Sequence, residues 1–212
     1  MSKTLYYVFD PLCGWCYGAG KTVAALGTVP GLELRLLPGG LFADDGSRPM
    51  NDGFAAFAWS NDQRMERLTG QSFTDRYRTE VLGNHQQRFD SGPATLALTA
   101  VALTAPEREA DALHPIQRAR YVEGQDVTRV DTLSRVLQGL GLGPAAARLA
   151  EADAELQALY RQRQTDAQAL LGQFGARGVP TFILDTGGQK QLLPAGDAFS
   201  NAEAFTQQIA AA

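Results

Sequence analysis

The chain has 212 residues, 44% of them apolar, and a formal charge of −4. That is enough apolar mass for one well-filled domain, or for one domain carrying a sizeable insertion, and it excludes disorder as the default. With no broad cationic surface and no long Lys/Arg run, nucleic acids and polybasic membrane contacts are excluded as expected partners, and no stretch approaches the ~20 consecutive apolar residues of a membrane span.

The opening MSKTLYYVFD passes directly into β-branched and aromatic residues. It has neither a charged and then apolar leader nor a small-residue cleavage site, so the expected compartment is the cytoplasm. Residues 5–9 are a compact apolar run that predicts a buried strand, closed by the turn signal Asp10-Pro11. A helix is predicted over 13–26 on Ala19, Val23, Ala24 and Leu26, ending near Gly27, and LELRLL over 32–37 predicts a second strand. Both cysteines of the chain, Cys13 and Cys16, therefore fall at the strand-to-helix junction of a β-α-β unit.

From about residue 50 to 174 the patterns are helical, with no convincing strand. The predicted pieces are 51–69, 73–82, 93–104, 115–122, 129–138 and 154–174, with Pro93 and Pro115 in first turns. Val130, Leu133, Leu137 and Leu140 recur at helical steps, as do Leu156, Leu159, Tyr160, Ala167, Leu170, Leu171 and Phe174. Gly175 and Gly178 end the last piece, and VPTFIL over 179–184 predicts a strand. DTGGQK then reads as a hairpin turn, 191–193 as the returning strand, Gly196 as a turn or close-approach residue, and Asn201 as the cap of a last helix through Ala210.

The segment DPLCGWCYG leaves three readings of the cysteine pair. Zinc normally takes four protein ligands, or three and a water, and only His85 and His114 remain to complete a site, without the usual spacing. A structural staple is disfavoured because a two-residue spacing closes a tiny loop, and a reducing cytoplasm keeps thiols free. The spacing does suit thiol-disulfide exchange, in which one sulfur attacks a disulfide and its neighbour resolves the mixed disulfide. The attacking sulfur must be a thiolate, and unpaired N–H groups at a helix start favour that form. Cys13 is thus the expected nucleophile and Cys16, one turn further in, the resolving thiol. Gly14 and Trp15 between them are expected to tune the couple. Trp15 reads equally as a substrate-facing ring and as a ring packed on the helical block. Asp10 reads either as a proton carrier for Cys16 or as a turn residue capping the helix start, and the second is the expectation. Asp90 and Ser91 before Pro93 read as cap residues.

C-x-x-C at such a junction, with Gly-Val-Pro-Thr-Phe (178–182) and a hairpin late in the chain, resembles the thioredoxin superfamily, and the intervening helical block resembles its DsbA-like branch. FDPLCGWCYG, DSGPATLA (90–97), IQRARYVEGQDVTRVDTL (116–133) and GVPTF together are similar to the cytosolic FrnE-like group of predicted protein-disulfide isomerases and oxidoreductases. The resemblance implies an α/β thioredoxin fold at 1–45 and 175–212, with an inserted all-helical domain at 46–174 folded over the site. It also implies a cis Val179-Pro180 peptide facing the cysteines, with the Val179 backbone pairing with an extended substrate segment and Pro180 keeping metal off the thiols. The sequence departs from thioredoxin where that protein places a buried acid: Tyr6 and Tyr7 stand there.

The expected function is a cytosolic thiol-disulfide oxidoreductase, similar to protein-disulfide isomerases. It would act on protein or small-molecule thiols and disulfides without a bound organic cofactor, with glutathione as a candidate reductant. An alternative is the glutathione-dependent kappa transferase and hydroxychromene-carboxylate isomerase group, whose members usually carry Ser where Cys13 stands. From another class, a holdase would grip clients with Phe54, Phe57 and Trp59, which read more simply as the buried face of a helix.

Overall fold

The computed structural model describes residues 3–212. Its centre is β1 (Lys3–Phe9), in which Leu5, Tyr7, Val8 and Phe9 are wholly buried. A strand covered on both faces needs a continuous apolar run rather than alternation, and TLYYVF supplies it. β1 lies parallel to β2 (Leu32–Pro38), with Tyr7 opposite Leu36, and antiparallel to β5 (Thr181–Thr186), with Tyr7 opposite Phe182. β6 (Gln189–Leu193) completes the sheet in the order β2-β1-β5-β6. The β5–β6 turn holds Gly187 and Gly188 at φ of 61° and 90°, a left-handed pair that side chains resist.

The predicted first helix is divided at Ala19 into α1 (Gly14–Gly18) and α2 (Gly20–Leu26). Most of the helical block follows the sequence reading. α3 (Asp52–Thr69) starts where the Asn51 side chain accepts from the Phe54 N–H, and Tyr77–Leu82 forms a π-helical turn. α4 (Gly92–Thr104) carries Pro93 in its first turn, as expected. α5 (Glu109–Tyr121) differs, because Pro115 lies inside it and the helix starts six residues earlier than predicted. Its buried face of Ala112, Leu113, Ile116 and Ala119 outweighs the one backbone bond that proline forfeits. α6 (Val130–Gly139) and α8 (Ala154–Gln173) match their predicted spans, and between them α7 (Gly143–Glu151) was not predicted. Its lead-in, Gly141-Leu142-Gly143-Pro144, reads as loop, yet Pro144 sits in the first turn, where no amide hydrogen is needed.

Two further elements correct the all-helical reading of this region. β3 (Arg48–Pro49) and β4 (Arg88–Phe89) pair antiparallel as a two-residue ladder, too short to show any period in the sequence. At the other end, β5 begins at Thr181, so Val179 and Pro180 lie just outside the strand predicted to contain them. A short α9 (Asp197–Ser200) precedes α10 (Ala202–Ala211), whose start is capped by the Asn201 side chain accepting from Ala204 N–H.

The sheet and the helical block share one continuous apolar core, from Leu5 and Phe182 to Leu98 and Leu133. A buried ionic tie reinforces it. Arg163 of α8 pairs with Glu109 of α5 and donates to the Leu36 carbonyl of β2 (2.8 Å) and to Thr99 Oγ1 of α4 (3.3 Å). Burial pushes the Glu109 carboxyl above its ordinary range and Arg163 pulls it back. Removing one partner leaves the other charge buried and uncompensated, which costs about 3–5 kcal/mol. Arg163→Met is therefore expected to lose about that much stability in urea unfolding, and adding Glu109→Gln should recover part of it; a loss below ~1 kcal/mol from the single change contradicts this role.

Candidate redox site

β1 delivers the chain to Asp10, whose carboxyl is wholly buried and gathers three donors from three segments. Oδ1 accepts from Leu12 N–H (2.9 Å), while Oδ2 accepts from Phe42 N–H (3.1 Å) and from the Ser91 hydroxyl (2.7 Å). The Asp10 carbonyl accepts from Cys13 N–H at 3.1 Å. Asp10 is thus the turn residue expected before the helix, but its carboxyl is engaged at Leu12, one residue ahead of the cap Cys13, and no side chain bonds the start of α1. Burial raises the Asp10 carboxyl above its ordinary range, and the bonds from Ser91, Leu12 and Phe42 act against that rise. Ser91 stands at the cap position of α4, but its hydroxyl is given to Asp10; Asp90 Oδ1 instead accepts from Gly92 N–H at 2.8 Å.

Cys13 occupies the cap position of α1 and Cys16 lies within the helix, and both are free thiols. Their environments differ. Cys13 keeps 7% exposure and directs its Sγ at the Val179 carbonyl, 3.7 Å away; Cys16 keeps 1%, with the Asp10 N–H donating to its Sγ at 3.5 Å. Burial, followed by the hydrogen bond and charge of Cys13, pushes the Cys16 thiol well above its ordinary value. Beneath it Tyr7 donates to the Cys16 carbonyl at 3.2 Å, and burial holds its phenol protonated.

The Val179-Pro180 peptide is cis, and Pro180 is buried. Trp15 packs edge-on against Phe199 at 5.4 Å between ring centres, with the Arg64 guanidinium 5.4 Å from its own ring centre. The ring is thus held between α3 and the α9 segment. Phe54 and Trp59 pack against the core as helix-face residues, whereas Phe57 is 65% exposed. His85 lies 3.3 Å from Asp52, and His114 stacks on Tyr17 at 6.0 Å, so the two are not gathered at the cysteines. Among the described residues no group of three or more His, Cys, Asp or Glu is placed to hold a metal ion.

Sequence reasoning did not single out Asp62, which α3 places directly against the redox turn. A Cβ on Gly14 would come within 1.9 Å of Asp62 Oδ1. In the sequence NDQRMER this aspartate reads as one more polar residue of a solvated helix, and only the packing of α3 on α1 reveals it. A cavity of about 540 Å³ also borders Cys16 and Tyr7, lined on its far side by Glu109, His114 and Gln117.

This arrangement, one sulfur near the surface and a second sealed behind it at the end of a central strand, invites comparison with known proteins. The model of the DSBA-like thioredoxin domain matches residues 4–207. The chain belongs to that family. Its fold is therefore the DsbA-like thioredoxin fold, and it is a thiol-disulfide oxidoreductase. Among solved structures it resembles the cytosolic disulfide reductase DsbM from Pseudomonas aeruginosa, with 34% identity, 97% of this chain and 96% of that one covered, and a TM-score of 0.88. The structure of DsbM with GSH matches at 33% identity and 0.86, over the same shares of the two chains. A putative protein disulfide isomerase from Nitrosomonas europaea shares the fold at 23% identity and a TM-score of 0.78, with 98% of each chain covered. So does a 2-hydroxychromene-2-carboxylate isomerase at 17% and 0.62, over 97% of this chain and 95% of that one. No curated protein sequence matches the chain.

The Asp10 hub yields a direct test. Asp10→Ala strands two backbone N–H groups and the Ser91 hydroxyl in a dry site, at about 1–3 kcal/mol for each group not rescued by water. Urea unfolding is expected to show a loss of at least ~3 kcal/mol for Asp10→Ala and about 1 kcal/mol for Ser91→Ala, and near-equal small losses would contradict the hub.

Proposed function

We propose that the chain is a cytoplasmic disulfide reductase or isomerase that works through the Cys13-Cys16 couple, with glutathione as its reductant. The observation that carries this reading is the unequal burial of two free sulfurs: Cys13 faces the surface-side Val179 carbonyl while Cys16 is sealed behind it. Likeness to a cytosolic disulfide reductase, also solved with GSH, supports the compartment and the reductant.

In this reading the Cys13 thiolate attacks one sulfur of a substrate disulfide. The substrate S–S bond breaks, a Cys13–substrate disulfide forms, and the departing sulfur takes up a proton. Cys16, once deprotonated, attacks the Cys13 sulfur and releases the second substrate thiol, leaving the enzyme disulfide two electrons more oxidised. Two glutathione thiols return it to the dithiol and leave as glutathione disulfide. Burial of Cys16 keeps it out of the first step, because a thiol held protonated is a poor nucleophile until the mixed disulfide lies against it. The Val179 carbonyl, which accepts from the resting Cys13 thiol, is freed when that thiol ionises and is then available to an extended substrate backbone. Trp15 and Pro180 shape the approach beside it.

Glutathione-dependent reduction of a small disulfide and of insulin is the assay. Cys13→Ser should lose all catalysis, whereas Cys16→Ala should accumulate a glutathione adduct on Cys13, detected by mass spectrometry. Undiminished turnover in Cys13→Ser would overturn the proposal.

A further inference from the structure

The residue after the nucleophilic cysteine is a glycine, and the structure gives a reason. The place its side chain would take is occupied by a carboxyl group from another helix: a Cβ at position 14 would lie 1.9 Å from Oδ1 and 3.1 Å from Cγ of Asp62. Asp62 is only 5% exposed. Its Oδ2 accepts from the Tyr77 hydroxyl at 2.8 Å. Next to this pair lies Arg120, 2% exposed, with its guanidinium 5.4, 4.9 and 5.7 Å from the ring centres of Tyr77, Phe89 and Tyr121. Among the described residues no carboxylate comes within 4.0 Å of Arg120, and its Nε has no partner.

We propose that Asp62 is a positioning residue for the dithiol: seated in the side-chain slot that Gly14 leaves empty, it couples the charge on Cys13 to a buried carboxyl–phenol–guanidinium cluster. This inference rests on the Cys13-Cys16 reading above. The charged and titratable groups around Asp62 are Tyr77 from the π-helical turn and Arg120 and Tyr121 from α5; the Tyr121 phenol feels the charges of both Asp62 and Cys13, and the Arg120 charge also reaches the buried Asp10 carboxyl. Arg64, on Asp62's own helix, is turned onto Trp15.

The sign of the coupling follows from Coulomb's law in a dry site. With Asp62 protonated, no carboxylate charge lies in the Gly14 slot beside the redox turn. With Asp62 ionised, the guanidinium is offset and a second negative charge lies beside the thiolate, which opposes it. Burial, against the Tyr77 hydrogen bond and the Arg120 charge, raises the Asp62 carboxyl to about 7, so the change falls within the working range of a cytoplasmic enzyme. By linkage the reduced enzyme, when it carries the thiolate, holds the Asp62 proton more tightly than the disulfide form does. Reduction therefore takes up protons at Asp62 near neutrality, and the reduced form loses favour as pH rises through that point. Asp62 also weighs on folding. Its proton affinity is higher folded than unfolded, so its contribution to stability is complete below about pH 4 and is lost as pH rises through about 7.

The test is the equilibrium between full-length enzyme and a glutathione buffer, measured from pH 5.5 to 8.5 for wild type, Asp62→Asn and Tyr77→Phe. Wild type should show an inflection near pH 7. Asp62→Asn, neutral throughout, should lack the inflection, matching wild type at pH 5.5 and favouring the reduced form by about tenfold at pH 8.5, the change produced by one unit of thiol acidity. Tyr77→Phe removes a bond that favours the carboxylate, so its inflection should move to higher pH. A merely structural role for Asp62 would displace the whole curve at every pH, and parallel curves for wild type and Asp62→Asn would overturn the inference. Should Asp62→Asn fail to fold, Tyr77→Phe decides: an upward-moved inflection supports the coupling and an unmoved one refutes it. Wild-type enzyme that exchanges with glutathione at no pH would refute the dithiol reading itself, an outcome distinct from either.

Discussion

The constraint on which the rest depends is the seating of one carboxylate, Asp10, at the end of the central strand. Its two oxygens bind the turn that leads to Cys13, the loop that follows β2, and the start of α4 in the helical block. Its backbone meanwhile holds both cysteines, the carbonyl through Cys13 N–H and the N–H through Cys16 Sγ. One residue thus fixes the position of the dithiol on the sheet and clamps the helical block over it. A carboxyl in so dry a place is tolerable only with such donors, which is why Ser91 serves Asp10 instead of its own helix.

From that seating follows the difference between two sulfurs only three residues apart. The turn leaves Cys13 at the lip of the helix, where it meets a carbonyl of the neighbouring loop, and rotates Cys16 into the core above Tyr7. Under the proposed reading the less deeply buried Cys13 attacks first, and Cys16, whose thiol burial holds protonated, is brought to it by the geometry of a single turn. Burial keeps the Tyr7 phenol protonated, and so uncharged, beneath Cys16. Besides Asp10, a second buried carboxyl borders the redox turn: Asp62 of α3, which occupies the slot at Gly14.

Much of this was legible in the sequence because it is local. The strand at residues 5–9, the Asp-Pro turn, the cysteine spacing and the cap at Asn201 all follow from neighbours a few residues apart. What escaped depends on distance along the chain. Asp62 looks like a solvated helix residue until α3 is laid against α1, and the hydroxyl of Ser91 looks like a cap until Asp10, 81 positions away, claims it. Pro115 misled because propensity favours a helix start there, whereas the buried face of α5 continues on either side of it. The ladder of β3 and β4 is two residues long and has no period to detect.

The central claim is that Cys13 alone supplies the attacking thiolate and Cys16 waits protonated behind it. It is tested most directly by site-resolved alkylation of the reduced, folded protein, with iodoacetamide incorporation at each cysteine followed by mass spectrometry between pH 5 and 9. The account predicts that Cys13 is modified faster than Cys16 at every pH, with Cys16 labelled in full only after denaturation. Equal rates at the two sulfurs, or faster labelling of Cys16, would contradict it.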